Sequence, residues 1–331
     1  MTKTLRSVLS AAALALFAGT ALAPAAQAFQ PQVWFGSVDP VVQGDRHVGT
    51  PADFMELFSP NAPWQATLSG LSVFKVSTQF ILRGSNEELQ SFFSFVRAHN
   101  LAVDIELGLL VWSDRCGKGF EGYGGPNTVV HVLDRVRQVG GRLDYVDMDE
   151  PVTIGHAKTG KGSHGVMHCN DPIESLASQV APKIKLIRSY FPNVKVGEID
   201  ALWGTHPEQV GFIVAFNDAV YRATGVRPSY VNLDINWTLD WREVVERVTA
   251  QLHARGVRVG VVFDCDNNVA SDQQCVAQSV SRFRQFAATP SLRPDNFVFQ
   301  TWTAFPHRVL PETDPGAWTY AARTAVASLR R

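Results

Sequence analysis

Two hydrophobic periods alternate along this chain. Short runs rich in Val, Ile, Phe and Leu, many beginning after Gly, Asn or Pro, predict strands at 33–37, 72–77, 102–109, 143–149, 195–200, 230–235, 258–264 and 297–302. Each run is followed by apolar residues at helical spacing. Ser85 with Glu88 predicts a capping box ahead of Leu89, Phe92, Phe93 and Val96. Asn127 opens a segment with Val129, Val132, Leu133 and Val136, stopped at Gly140-Gly141. Asp171-Pro172 reads as a cap and first-turn proline before Leu176, Val180, Ile184 and Ile187, with Pro182 expected to kink or split that helix. Pro207 starts another helix, and Asp240 with Glu243 predicts a second capping box. Segments 271–287 and 314–330 complete the series, and the weakest helical pattern is the first, near 50–58.

Eight strand-helix units in about 300 residues predict an α/β fold, a single (β/α)8 TIM barrel. The competing architecture, an open doubly wound sheet, would carry a Gly-rich phosphate turn after its first strand. Gly36-Ser37-Val38-Asp39 is not one.

The first residues stand apart from this pattern. Lys3 and Arg6 precede an apolar and small-residue run at 8–22, and Ala26-Gln27-Ala28 forms a small-x-small site before Phe29. Residues 1–28 are therefore expected to be a secretory signal peptide and 29–331 the barrel, placing the protein outside the cell or in the periplasm, with no membrane attachment after cleavage. Loss of Lys3 and Arg6 takes the formal charge from −1 to −3. That near-neutral balance gives no electrostatic case for nucleic acid or anionic membranes. An exported chain with four cysteines predicts two disulfides, with Cys265–Cys275 and Cys116–Cys169 the favoured pairs. No Cys-x-x-Cys pair supports a zinc site.

Chemistry concentrates where strands end. The stretch Leu143-Asp144-Tyr145-Val146-Asp147-Met148-Asp149-Glu150-Pro151 puts Asp147 and Asp149 on one strand face, with Glu150 following and Pro151 stopping the strand. Polar residues lie toward nearly every other strand end: Asp39, Lys75, Asp104 with Glu106, Glu198 with Asp200, Asp234 with Asn236, Asp264 with Asp266, and Gln300 with Trp302. Asp104 and Glu106, earlier in their strand, could instead be buried and paired. Trp112, Trp203, Trp237 and Trp302 fall at the same end, and Tyr123 sits in the glycine-rich loop 117–125. Indoles pack on the C–H faces of sugar rings, and carboxylates accept from sugar hydroxyls. Two carboxyls with separated pKa values can cleave a glycosidic bond, one protonating the leaving oxygen while the other attacks the anomeric carbon or activates water. Glu150 is the expected acid, with Asp149 raising its pKa by like-charge repulsion. The partner carboxylate is expected at Asp200 or Glu198, with Asp264 close behind. Asp147, Asp149, Trp112, Trp203, His206, Asp234, Asn236, Trp237 and Trp302 are the expected substrate contacts.

Asp149-Glu150-Pro151 resembles the Asn-Glu-Pro at strand four of the large retaining clan of TIM-barrel glycoside hydrolases. The resemblance implies an acid/base role for Glu150 and a contact with the sugar 2-hydroxyl for Asp149. Asp144-x-x-Asp147-x-Asp149 is also similar to strand four of chitinase-type barrels, whose acid lies two residues past the last Asp; here Glu150 is adjacent. The retaining clan ends strand seven in a Glu nucleophile, whereas this chain has Phe263-Asp264-Cys265-Asp266. Asp264 would have to substitute.

The long loop 152–170 carries His156, His164 and His168, read as solvated loop histidines rather than metal ligands because the surrounding glycines oppose a helix. The expected protein is thus a monomeric carbohydrate hydrolase needing no metal or other cofactor. Two alternatives are a carbohydrate-binding barrel without hydrolysis, favoured by the missing strand-seven Glu, and a metal-dependent hydrolase or isomerase using the Asp cluster.

Overall fold

A computed structural model describes residues 29–39, 51–162, 165–202, 207–292 and 294–330. The expected signal peptide, His164, Trp203 and His206 lie outside them.

Eight parallel strands close into a barrel. They are β1 (Gln32–Gly36), β2 (Val73–Ser77), β3 (Ala102–Leu107), β4 (Tyr145–Asp149), β5 (Lys195–Leu202), β6 (Tyr230–Ile235), β7 (Arg258–Val262) and β8 (Asn296–Phe299). Each pairs with its neighbours in sequence, and β1 pairs with β8 to close the ring. The main outer helices are α1 (Asn86–Ala98), α2 (Thr128–Gln138), α3 (Ile173–Tyr190), α4 (Glu208–Thr224), α5 (Arg242–His253), α6 (Asp272–Ala287) and α7 (Trp318–Leu329). The segment after β1 forms a short 3-10 turn (Phe54–Phe58) and one α turn (Gln65–Leu68), in keeping with its weak helical pattern. A short helix, Thr78–Arg83, directly after β2, was not expected from the periodicity.

The capping box at α1 forms both halves, Glu88 N to Ser85 Oγ at 3.1 Å and Ser85 N to Glu88 Oε2 at 2.8 Å. Three local expectations are corrected. Helix α3 runs unbroken through Pro182, which is exposed, so its missing N–H falls on the solvent side. Its N-cap is Pro172, and Asp171 instead accepts from Gln179 Nε2. Helix α5 is entered from Trp241 with no side-chain cap, so Asp240 and Glu243 form no box.

Strand alternation divides the interior from the helix layer. Trp34, Val73, Tyr145, Ile199, Tyr230, Val262 and Val298 form one buried cluster inside the barrel. Trp34, Tyr145 and Tyr230 meet edge to face, with ring centroids 4.8–5.7 Å apart. Small residues make room for these rings. A Cβ on Gly197 would lie 2.5 Å from the Tyr230 ring. The neighbouring positions, such as Phe35, Phe74, Val146, Val196 and Leu233, join the much larger core between strands and helices. The aromatic plug fills the amino-terminal part of the barrel and leaves its carboxyl end open to polar groups.

Candidate active site

Counting in twos from the aromatic plug places Lys75, Asp104, Glu106, Asp147, Asp149, Asn232 and Asp234 on the interior face. The lowest of these form a buried network. Lys75 Nζ is bonded to Asp147 and lies 3.3 Å from Asp104 Oδ2 and 3.4 Å from Glu106 Oε2. Asn232 Nδ2 donates to Asp147 at 3.3 Å, and Gln300 Nε2 donates to Glu106 at 2.7 Å. Burial opposes the Lys75 charge, but Asp147, Asp104 and Glu106 overcome it and hold the amine protonated. Burial and the nearby Asp147 push Asp104 well above the carboxylate range, so it stands as the neutral member. Asp104 is therefore buried and paired, the second of the two readings its position allowed, whereas Glu106 is paired with Lys75 but stays 26% exposed and lines a cavity at the mouth. Asp147 is entirely buried under this network and does not reach the mouth.

Above it lie the acids at the carboxyl end of β4. Asp149 closes β4 half-buried and accepts the Gly122 N–H at 2.9 Å, which seats the glycine-rich loop on the strand end. Glu150 follows in the left-handed region, φ 37°, with its own N–H bonded to Ile199 O at 2.9 Å. Left-handed backbone is unfavourable for a glutamate and recurs where function over-determines a conformation. Burial raises the Glu150 pKa well above the usual range, and Glu121, Asp200, Asp234 and Asp149 add to it. The residue is held as a neutral acid by its surroundings. Asp234 is likewise raised, first by burial and then by Asp264, Glu121 and Glu106.

At the end of β7, Asp264 is 9% exposed. Its Oδ1 accepts from Trp237 Nε1 at 2.9 Å and from Arg282 at 2.7 Å. Burial pushes its pKa up to about 7, against the opposing pull of Arg282 and the indole N–H.

Strand five behaves differently from the expectation. Glu198 and Asp200 do share a face, but Ile199 occupies the interior, so the pair points into the helix layer beside Val196 and Leu202. Both are fully buried. Asp200 accepts the N–H groups of Val152 and Thr153 at 2.8 and 2.9 Å, pinning the turn that follows Glu150. Burial raises its pKa to about 6. Neither carboxylate oxygen of Glu198 has a hydrogen-bond partner among the described residues.

Two cavities open at this end, of about 230 and 250 Å³. The first is lined by Asp39, Lys75, Glu106, Glu121 and Gln300, the second by Asp234, Asn236, Trp237, Asp264 and Asp266. Trp302 forms a wall of both. Trp112 lies in neither lining; Lys118 covers its ring at 5.1 Å. Both disulfides match the favoured pairing. His156 bonds Asp171 O at 2.8 Å and meets Phe212, while His168 stacks on Phe120 at 4.1 Å, so these two tie the loop down rather than lying free in solvent. No helix among the described residues is long and apolar enough to cross a membrane.

Periodicity alone missed Glu121 and Arg282. Arg282 had a signal: it interrupts the buried stripe of α6 between Ser279 and Phe283.

No protein-family model matches the chain, and no curated protein matches it. Solved structures do. A psychrophilic glycoside hydrolase family 10 endo-β-1,4-xylanase is 10% identical, with 83% of this chain and 86% of that one covered and a TM-score of 0.52. A family 10 endoxylanase from a sugarcane soil metagenome is also 10% identical over the same shares, with a TM-score of 0.47. A 3-keto-D-glucoside 4-epimerase from E. coli is 13% identical over 91% of this chain and 99% of that one, with a TM-score of 0.45. The first likeness shows the TIM-barrel fold; at these identities none of the three carries a reaction over to this chain.

Proposed function

We propose that this chain is an exported, monomeric glycoside hydrolase acting on a poly- or oligosaccharide through paired carboxyl groups. The observation that carries the reading is Glu150, a carboxyl set by a left-handed backbone at the barrel mouth and kept neutral by burial among other acids. It donates its proton to the leaving glycosidic oxygen. Asp264, just past the end of β7, is the partner that in its ionised form attacks the anomeric carbon or activates water. This departs from the expected preference for Asp200 or Glu198, because those two face the helices. Asp234, between the two roles, accepts from sugar hydroxyls, and Trp302 offers a ring face to the sugar, while Trp237 lines the same cavity with its ring held by Arg282, Trp241, Phe263 and Phe286. The glycoside hydrolase family 10 xylanase whose barrel this fold resembles agrees with this reading.

The test is a polysaccharide panel read by new reducing ends. On the substrate found, Glu150→Gln is expected to cut turnover by about 10²–10⁴ with an unchanged circular dichroism spectrum. Unchanged turnover removes Glu150 from the mechanism.

One observation favours a carbohydrate-binding barrel without hydrolysis: Glu150 lines neither cavity. Calorimetric sugar binding with no reducing ends after long incubation would establish that reading instead.

A further inference from the structure

Arg282 belongs to a helix, yet its guanidinium ends at the barrel mouth. It is 6% exposed. One terminal nitrogen donates to Asp264 Oδ1 at 2.7 Å, and the other is bonded to Asp266. Its carbon lies 5.1 Å from the Trp237 ring, whose Nε1 donates to the same Asp264 oxygen. A planar fork holds two carboxylates at once in a fixed geometry beside an indole, an orientation that a rotating ammonium does not fix. Both bonds land on Asp264 Oδ1, so neither uses Oδ2.

We infer that Arg282 is a positioning residue that keeps Asp264 ionised and fixes which of its oxygens is presented to the substrate, a role that rests on the carboxylate-pair reading above. The charges around Asp264 show why such a residue is needed. Asp234 faces it from β6 and Asp266 from its own loop, and Glu121 and Glu106 in turn act on Asp234. The side contributed by β8 is Trp302, which carries no charge. Among the described residues, three acids therefore converge with one cation among them, and burial already favours the protonated form. Removing the cation leaves Asp264 next to Asp234 and Asp266 with the indole N–H as its remaining side-chain donor. A protonated Asp264 can neither attack carbon nor take a proton from water.

A merely structural role, locking the loop onto α6, would lower stability without moving a titration. The experiment is therefore a site-resolved ¹³C titration of the Asp264 carboxyl beside the pH profile of kcat/KM, in wild type, Arg282→Gln, Arg282→Lys and Asp266→Asn. Loss of the guanidinium in Arg282→Gln is expected to raise the Asp264 titration by about 1–3 units, and the acid limb of the profile with it. Arg282→Lys should fall between that variant and wild type. Asp266→Asn removes a like charge and should move both readouts to lower pH. An Asp264 titration at the wild-type pH in Arg282→Gln overturns the proposal. Should that variant not fold, an unmoved titration in Asp266→Asn overturns it equally. If the carboxyl shifts as stated while no saccharide is ever cleaved, the ion-pair role stands and the hydrolase reading is what fails.

Discussion

Gly122 and Asp149 are locked together from both sides. The Gly122 N–H donates to the Asp149 carboxylate at 2.9 Å, and a Cβ on Gly122 would stand 2.6 Å from the Asp149 carbonyl oxygen. Gly122 also has φ +78°, where side chains are disfavoured. Gly122→Ala is therefore blocked twice, by contact with backbone and by conformation. It should destabilise the protein by about 1–3 kcal/mol and lower turnover by lifting the loop off β4. Chemical denaturation with a turnover assay checks both. Gly119→Ala is the control, because it has the same sign of φ but nothing within 4 Å. It should show the conformational cost alone and keep its activity.

The backbone at Glu150 gives a prediction opposite to common experience. Alanine ordinarily stabilises relative to glycine, because glycine loses more freedom on folding. At φ 37° the order should reverse. Glu150→Gly is expected to be more stable than Glu150→Ala by about 1 kcal/mol, with both inactive. Denaturant midpoints of the two variants decide it. If alanine is the more stable, the left-handed backbone of the native protein is not retained and the strain argument fails.

The disulfides differ in the length of chain they close. Cys116–Cys169 spans 53 positions and Cys265–Cys275 spans 10. On chain entropy, removing the longer crosslink should cost about 1–1.5 kcal/mol more than removing the shorter. The paired Ser variants of each bridge, compared by urea denaturation, test the order. The longer bridge also holds the loop behind Asp149 against the loop after Glu150, so its loss should reduce turnover. Loss of the shorter one should act on the segment beside Asp264.

Much of this arrangement was legible from periodicity. All eight strands, the capping box at Ser85 and the two disulfide pairs appear where the sequence pattern predicts them. Those features depend on local chemistry or on a period that repeats. The facing of strand five was not legible because that strand is buried on both faces, as parallel barrel strands are. Alternation shows that Glu198 and Asp200 share a side, but only the packed barrel shows that the side is the outer one. Pro182 was misjudged for a similar reason. Its identity predicts a break, whereas its position on the solvent face permits an unbroken helix. Arg282 reaches the mouth from α6 across a long stretch of chain, and no spacing rule joins it to Asp264.

Glu198 ties the stability of the fold to pH. It sits between Met148 of β4 and Val231 of β6 in the strand register, fully buried, with neither oxygen bonded among the described residues. Burial, with Asp200 and Asp147 adding to it, raises its pKa well above the ordinary 4.5. The sign follows from linkage. Above about pH 4.5 the unfolded chain releases this proton while the folded chain retains it, so stability falls as pH rises until the folded acid ionises. Asp200 adds a smaller loss of the same sign between pH 3.8 and about 6. One such group can contribute a slope of at most about 1.4 kcal/mol per pH unit. Glu198→Met replaces the acid with a side chain of similar length that suits its neighbours. It should remove that share of the slope, leave stability near pH 4 little changed and raise it at pH 8. Because the side chain faces the helices, turnover should stay at the wild-type level. Denaturation at a series of pH values gives the first result and reducing-end assays the second. A variant that loses its pH slope together with its activity would return Glu198 to the chemistry and displace Asp264 as the partner of Glu150.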